Sequence, residues 1–172
     1  MIATMVNIAV RILCKTWLDV LGDPEEVATR AAKAALAVDT DHVTENSEVS
    51  IVLGDVALVQ QLNRDYRNQD EPTNVLAFSG ITGDANMHRL MGDVILALEP
   101  ICEEVEAQGK TFSDHTSHLV VHGTLHLLGF DHDTDQKSKE MEATEISILS
   151  ALGVPNPYNP TETRLTAELD HG

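Results

Sequence analysis

Two hydrophobic periods alternate along this chain. Short runs rich in Val and Ile predict strands, and longer segments with apolar residues three or four positions apart predict helices. The predicted strands span residues 5–13, 48–54, 74–79 and 91–98. Because strands and helices interleave, we predict an α+β fold, close to the α/β type, with a small mixed four-stranded sheet packed with about five helices.

Start and stop residues mark the predicted helices. An acid that can cap the first turn precedes several of them, and proline at the first helical position supports the same kind of boundary. The predicted starts are Asp23-Pro24, Asp55, Pro100, Ser113 or Asp114, and the segment Asp133-Thr134-Asp135-Gln136. The fourth helix is predicted to end at Gly129, because glycine commonly terminates helices.

Length and composition bound the class of protein. With 172 residues, 42% of them hydrophobic, the chain suits one domain, predicted over residues 1–158, and a polar tail over 159–172. Cys14 and Cys102 show no CxxC spacing, which argues against a disulfide framework or a thiolate zinc site. The apolar start lacks a basic segment and is interrupted by charged residues such as Arg11, unlike a signal peptide or a membrane span. We therefore predict a cytoplasmic protein with no membrane partner.

The segment HLVVHGTLHLLGFDH, residues 118–132, concentrates four histidines in an otherwise apolar stretch. Residues four apart lie on one face of a helix, so His122 and His126 can bind the same ion. Gly129 ends the helix, and the returning chain can present His132. Three imidazoles leave one tetrahedral position for water, which is typical of a catalytic zinc site. The spacing therefore predicts a metal site on a helix and the loop that follows it.

Other polar residues of this stretch are predicted to support the metal ligands. His118 lies one turn before His122 and has no third ligand of its own, so we expect it to orient a ligand rather than bind the metal. Asp131 and Asp133 are candidates for the same role or for a general base. His115 is expected to face solvent.

The residue at position 123 distinguishes this site from a peptidase site. The histidine spacing matches the zinc-peptidase signature HExxHxxGxxH, but the residue after His122 is Gly123 instead of the glutamate that acts as base in those enzymes. Glycine inside a helix costs on the order of 1 kcal/mol relative to alanine. Two explanations stay open: close approach of substrate or a neighbouring strand to the metal, or a tolerated packing glycine.

The segment LNRDYRNQDEPTNVLAF, residues 62–78, places Arg64 and Arg67 near the end of a helix, before a turn and a strand. A guanidinium can bind two phosphate oxygens at once and stays charged at working pH. Either arginine could equally be a partner of the helix dipole or of a surface acid.

The net charge opposes a simple nucleic-acid interaction. The chain has 28 acidic residues against 11 Lys and Arg, a formal charge of -17, whereas proteins that bind nucleic acid usually carry a basic surface. Two explanations are open if RNA is the substrate: Arg64, Arg67 and Arg89 cluster at one groove, or a protein partner delivers the RNA. Binding of DNA is not expected.

In these motifs the chain resembles the YbeY family, the bacterial single-strand-specific endoribonucleases also called rRNA maturation factors. The resemblance rests on HGTLHLLGFDH (122–132), LNRDYRNQDEPTNVLAF (62–78) and MGDVILALEP (91–100), in the family's order, and covers about residues 46–158. Phe130 stands where tyrosine is common in the family.

The resemblance implies a mixed four-stranded sheet, one Zn²⁺ per chain on His122, His126 and His132, and Arg67 as the catalytic arginine. It also implies metal-dependent cleavage of single-stranded regions of ribosomal RNA precursors, in maturation of the small-subunit RNA 3′ end and in ribosome quality control. The small ribosomal subunit and its proteins are the implied partners.

Two other functions stay open from the sequence. The first is a zinc-stabilised assembly factor that binds the small ribosomal subunit without cutting RNA. The second is a metallopeptidase, which the ligand spacing favours and Gly123 opposes.

Overall fold

Four strands and six helices make up the part of the chain that the computed structural model describes, residues 6–38, 47–79 and 89–158. The strands are β1 (Asn7–Ile12), β2 (Ser47–Gly54), β3 (Val75–Ser79) and β4 (Arg89–Ala97). The helices are α1 (Thr16–Val20), α2 (Pro24–Leu36), α3 (Val56–Arg67), α4 (Leu98–Gln108), α5 (Phe112–Leu127) and α6 (Asp135–Ala151).

The strands form one mixed sheet in the order β1-β2-β4-β3. β1, β2 and β4 run parallel, and β3 pairs antiparallel with β4. The prediction of a mixed four-stranded sheet in an α+β fold is therefore confirmed. Among the described residues, β3 pairs with a strand on one side only, the side of β4. We call its other side the free edge, and this edge borders the site described below.

The two faces of the sheet pack against different helices. Helices α2 and α5 cover one face, where the larger core contains Val49, Ile51, Leu53, Val94, Leu96, Leu119, Val120 and Leu125. Helix α3 covers part of the other face over a smaller cluster that contains Val52, Val59, Leu76, Ile95 and Ala97. Alternate residues of β2 and β4 therefore point into different cores, as the two-residue period of a strand requires.

Helix starts follow the predicted caps in part. Asp23 and Asp55 accept hydrogen bonds from the backbone N–H groups of Glu26 (3.1 Å) and Leu58 (2.9 Å), as predicted. Helix α5 begins at Phe112, one or two residues before the predicted start at Ser113 or Asp114. Its cap is Thr111, whose hydroxyl accepts from the N–H of Asp114 at 3.0 Å.

Two further differences concern short segments. Leu98 was predicted as the last residue of the fourth strand, but it begins α4, so that helix starts before Pro100. Helix α1 was not predicted because its five residues are too few to show a hydrophobic period. Trp17 holds it in place, since this side chain is fully buried and its indole N–H donates to the carbonyl of Gly54 at 2.9 Å.

Gly123 brings α5 close to the sheet. A Cβ atom at this position would lie 2.6 Å from Cγ1 of Val94 on β4 and 3.5 Å from Cγ2 of Val75 on β3. Close approach of a neighbouring strand, one of the uses predicted for Gly123, is what the structure shows. The glycine sets the distance between the edge of the sheet and the histidine-bearing helix.

The polar tail predicted over 159–172 lies outside the described residues. Within the described ranges, each helix is too short or too polar to cross a lipid bilayer.

Candidate metal centre

Three histidines come together where α5 ends. His122 and His126 lie one turn apart on α5, with 3.1 Å between their Nε2 atoms. Gly129, with φ of +99°, reverses the chain after the helix, and His132 returns on the loop so that one ligand nitrogen from each ring lies within 4.8 Å of the others. The structure thus places the three predicted ligands together, two on a helix and one on the following loop.

The donor set fits a metal ion. Two imidazole nitrogens bound tetrahedrally at 2.0–2.1 Å would be separated by roughly 3.3 Å, close to the separation of the His122 and His126 nitrogens. Burial, followed by the neighbouring rings of His122 and His132, lowers the pKa of His126. A lowered pKa favours the neutral imidazole, which is the form that binds metals.

A buried acid forms hydrogen bonds with one histidine of the cluster and with two neighbouring residues. Glu145 on α6 is fully buried, and its carboxylate accepts hydrogen bonds from Nδ1 of His122, from Nε2 of His118 at 3.3 Å and from the hydroxyl of Tyr158. Burial alone would raise the pKa of Glu145, but the bonds from His118, His122 and Tyr158 outweigh it and lower the pKa to about 2. Glu145 is therefore ionised at neutral pH and holds the Nδ1 proton of His122.

Glu145 was missed in the sequence, although its position carried a signal. It lies four residues after Met141 and four before Leu149, both of which are buried on the apolar face of α6. An acid at this spacing on an apolar face needs partners, because an unpaired buried charge is strongly destabilising. The partners are the histidines of α5, which the sequence alone does not place opposite α6.

His118 and His115 both lie inside the protein. His118 donates toward Glu145 instead of pointing at the three-histidine cluster, a position compatible with the predicted supporting role. The expectation that His115 faces solvent was wrong: it is 4% exposed, and its Nε2 is 2.9 Å from Oε1 of Glu104. Burial lowers the pKa of His115, with the bond to Glu104 acting in the opposite direction.

The two aspartates near His132 differ in position. Asp131 is half-buried and lines the cleft in front of the histidines, where its Oδ1 accepts from the backbone N–H of Asp133 at 3.2 Å. Its other oxygen lies 3.6 Å from Nζ of Lys137. Asp133 is exposed and does not line the cleft. Of the two candidates, only Asp131 faces the same space as the ligands.

Arg67 shares this cleft with the three histidines. The cleft has a volume of about 490 Å³, and its floor is the free edge of β3 from Val75 to Ser79. Arg67 lies at the end of α3, donates to the carbonyl of Ala77 and places its guanidinium 5.0 Å from the ring centre of Phe78. Residues separated by more than fifty positions in the chain therefore face one cavity.

Arg64 has a different environment. Its guanidinium lies 3.7 Å from Asp65 and 3.8 Å from Asp70, and it is not among the residues that line the cleft. The predicted cluster of Arg64, Arg67 and Arg89 is therefore wrong for Arg64. The side chain of Arg89 lies outside the described part of the structure.

The fold and the cluster together are typical of a class: α+β domains in which a helix and its following loop bring together three imidazoles that could hold a metal ion, as in metal-dependent hydrolases. The family model described as Endoribonuclease YbeY matches residues 19–153 of the chain. The chain belongs to this family, which confirms the resemblance seen in the sequence.

Individual relatives agree with this assignment. The Endoribonuclease YbeY of Paramagnetospirillum magneticum is 49% identical over 160 residues, covering 89% of this chain and 96% of the relative. That of Azorhizobium caulinodans is 48% identical over 139 residues, covering 80% and 87%. A protein of Thermotoga maritima with a known solution structure is 25% identical, with a TM-score of 0.53 over 83% of this chain and 86% of that one.

Proposed function

We propose that this chain is a zinc-dependent endoribonuclease that cuts single-stranded regions of ribosomal RNA precursors. His122, His126 and His132 would hold one Zn²⁺, and Arg67 would act on the scissile phosphate. Family membership supports an endoribonuclease in rRNA processing. The observation that carries the residue assignment is the single cleft that Arg67 shares with the three histidines.

His122 and His126 are suited to metal binding for different reasons. His122 has its Nδ1 proton fixed by Glu145, so its Nε2 is free to bind the metal. When bound, zinc supplies a Lewis acid that acidifies water to a pKa of about 7 and polarises a phosphoryl oxygen. The half-buried ring of His126 stays neutral because burial disfavours its charged form.

Arg67 is positioned to bind phosphate. One arm of its guanidinium donates to the carbonyl of Ala77, and the planar group lies near the ring of Phe78, so few orientations are open to it. Its remaining N–H groups can bind the non-bridging oxygens of a phosphodiester and stabilise the charge that accumulates there.

Asp131 is the best-placed general base. It is the only acid among the described residues that line the cleft, and it would take the proton from the attacking hydroxyl. The attacking group is water or a ribose 2′-hydroxyl, and the ends of the product distinguish them. Water leaves a terminal phosphate directly, whereas the 2′-hydroxyl leaves a cyclic 2′,3′-phosphate.

The proposed setting is the cytoplasm, where the small ribosomal subunit and its proteins present the RNA. The formal charge of -17 supports this, because so acidic a protein attracts free RNA weakly and gains from a partner that presents the substrate. The substrate would be the 3′ end of the small-subunit RNA, and the same cleavage would serve ribosome quality control.

The two alternatives receive less support. A peptide substrate would pair with the free edge of β3, but Arg67 already occupies the carbonyl of Ala77 on that edge. In addition, Gly123 lies against Val94, in the position where a peptidase would carry its glutamate. For an assembly factor that does not cut RNA, no observation on the described residues or the relatives speaks in its favour, and the relatives are endoribonucleases by name.

Single-turnover cleavage tests the proposal. The substrate is a structured RNA with single-stranded ends, and the proteins are wild type, Arg67→Ala, His126→Ala and the matched control Arg64→Ala. We expect wild type and Arg64→Ala to cut in the single-stranded regions, and both other variants to lose at least 100-fold in rate, roughly the loss expected for an electrostatic catalyst. Equal cutting by all four folded proteins would refute the proposal.

A further inference from the structure

A second depression lies on the other side of β3 from the metal cleft, between α3 and the sheet. It has a volume of about 550 Å³, and its wall includes Leu62, Tyr66, Phe78 and Ile95. We call it the aromatic groove. A volume of this size is in the range of small-molecule sites and exceeds what one planar ring needs.

Tyr66 is the most exposed aromatic side chain of the described residues, ahead of Tyr158 at 44%. The protein has only six aromatic residues, and the single tryptophan is fully buried. Tyr66 is 72% exposed and meets the ring of Phe78 edge to face, with 5.8 Å between ring centres. Phe78 in turn lies 5.0 Å from the guanidinium of Arg67. The exposed ring thus belongs to a short series of contacts, Arg67 to Phe78 to Tyr66, that begins at the proposed catalytic arginine.

The groove and the metal cleft are adjacent, because one residue lines both of them. Ser79, the last residue of β3, is exposed and lines both cavities. A chain that passes over Ser79 would therefore have one unit in front of the histidines and the neighbouring unit beside Phe78 and Tyr66.

The charges of the groove also favour RNA. Arg11 lines it and forms no ion pair with any described residue, in contrast to Arg64, which two aspartates neutralise. A free guanidinium can bind a phosphate of the backbone. Asp93 is the one acid among the described residues of the wall, and its carboxylate can accept a hydrogen bond from an exocyclic amino group of a base.

We propose that the aromatic groove binds one unpaired nucleobase of the RNA, next to the phosphate held in the metal cleft, with Tyr66 as its stacking partner and Arg11 at the adjoining phosphate. This inference rests on the proposed function and adds a specificity element to it. A base can enter the groove only if it is not paired, so the groove would select single-stranded RNA. Stacking on an aromatic ring accepts any base, because every base has a π-face.

The first experiment is a cleavage series with an abasic residue moved stepwise through a single-stranded oligoribonucleotide. For wild type, we expect one position beside the cut where loss of the base raises KM roughly tenfold, the scale of one lost stacking contact. Tyr66→Ala should raise KM by a similar factor on the intact RNA. For this variant, KM should rise no further when the base at the identified position is removed. Tyr66→Phe should behave as wild type, because it keeps the ring.

Matched controls separate stacking from general effects. Leu18→Ala removes another exposed apolar side chain, 50% exposed on α1, and should leave KM unchanged. Arg11→Ala should weaken binding and reduce its salt dependence, whereas Arg64→Ala should do so less, since that charge is already paired.

A binding measurement keeps this test independent of catalysis. The probe is an oligoribonucleotide with 2-aminopurine at the identified position, or at each position in turn if no cutting occurs. Wild type and Tyr66→Phe should quench the fluorescence of the 2-aminopurine, and Tyr66→Ala should not. The proposal is overturned if Tyr66→Ala quenches as well as wild type, or if Tyr66→Phe loses as much as Tyr66→Ala. Quenching without any cleavage would support the base-binding subsite and would refute the endoribonuclease proposal.

Discussion

Nδ1 of His122 donates its proton to the buried carboxylate of Glu145, while Nε2 of the same ring faces His126. The two nitrogens of one imidazole therefore have separate partners. A neutral imidazole carries one proton, so the acid fixes the tautomer that leaves Nε2 unprotonated. The orientation of a proposed ligand on α5 thus depends on a residue of α6.

We predict that Glu145→Gln weakens metal binding by about 10- to 100-fold, the range for loss of a hydrogen-bond partner of a ligand. Glutamine has nearly the same size, but it is neutral and can donate to Nδ1, which would favour the wrong tautomer of His122. Competition with a chelator of known zinc affinity measures the change. Glu140→Gln, at an exposed position of the same helix, is the control and should bind zinc as wild type does.

Acid should unfold the metal-free protein partly through Glu145. Its pKa is about 2 in the folded protein and 4.5 ordinarily, so its ionisation stabilises the fold above pH 4.5, and this contribution is lost as pH falls toward 2. A shift of this size corresponds to about 3 kcal/mol.

Urea unfolding at a series of pH values, with chelator present, measures this loss. Glu145→Gln lacks the titrating group and should be less stable at neutral pH, with a shallower fall below pH 4.5. If wild type and variant lost stability in parallel over this window, Glu145 would not be the group responsible.

Much of the fold and the grouping of the three histidines followed from the sequence, for physical reasons that individual residues illustrate. Spacing along one helix placed His122 and His126 together, and the turn at Gly129 brought in His132. Local signals of this kind need no knowledge of the tertiary structure.

The remaining parts of the site depend on contacts between distant elements. Glu145 lies opposite the histidines only because α5 and α6 pack together, and Arg11 reaches the aromatic groove from β1. The charge of Arg64 looked equivalent to that of Arg67 in the sequence, but Asp65 and Asp70 neutralise it in the fold. The sequence shows the type of each residue, whereas the fold decides its partners.

Gly123→Ala should destabilise the protein by about 1–3 kcal/mol, the usual cost of overpacking a core. In an isolated helix the same change would stabilise the helix by on the order of 1 kcal/mol. Here the added Cβ would lie 2.6 Å from Cγ1 of Val94, a fully buried and stiff side chain.

Urea denaturation checks the sign of this effect, with the double variant Gly123→Ala/Val94→Ala as its control. Removal of the clashing methyl groups should make the cost of the Gly123 change smaller than it is in the wild-type background. A stabilising Gly123→Ala change would mean that the approach of α5 to β4 is looser than the structure shows.

Tyr158→Phe should destabilise the protein by about 1.5–3 kcal/mol, the range for a hydrogen bond to a charged group. The hydroxyl of Tyr158 donates to Glu145, so its loss leaves that buried carboxylate with His118 and His122 as its only donors among the described residues. The pKa of Glu145 should rise as a result, and the acid transition should move to higher pH.

Tyr66→Phe is the matched control, because Tyr66 is exposed and its hydroxyl bonds to no described residue, and we expect it to change stability by less than about 0.5 kcal/mol. Equal effects of the two substitutions, measured by urea unfolding, would show that the bond from Tyr158 contributes nothing to holding the acid behind His122.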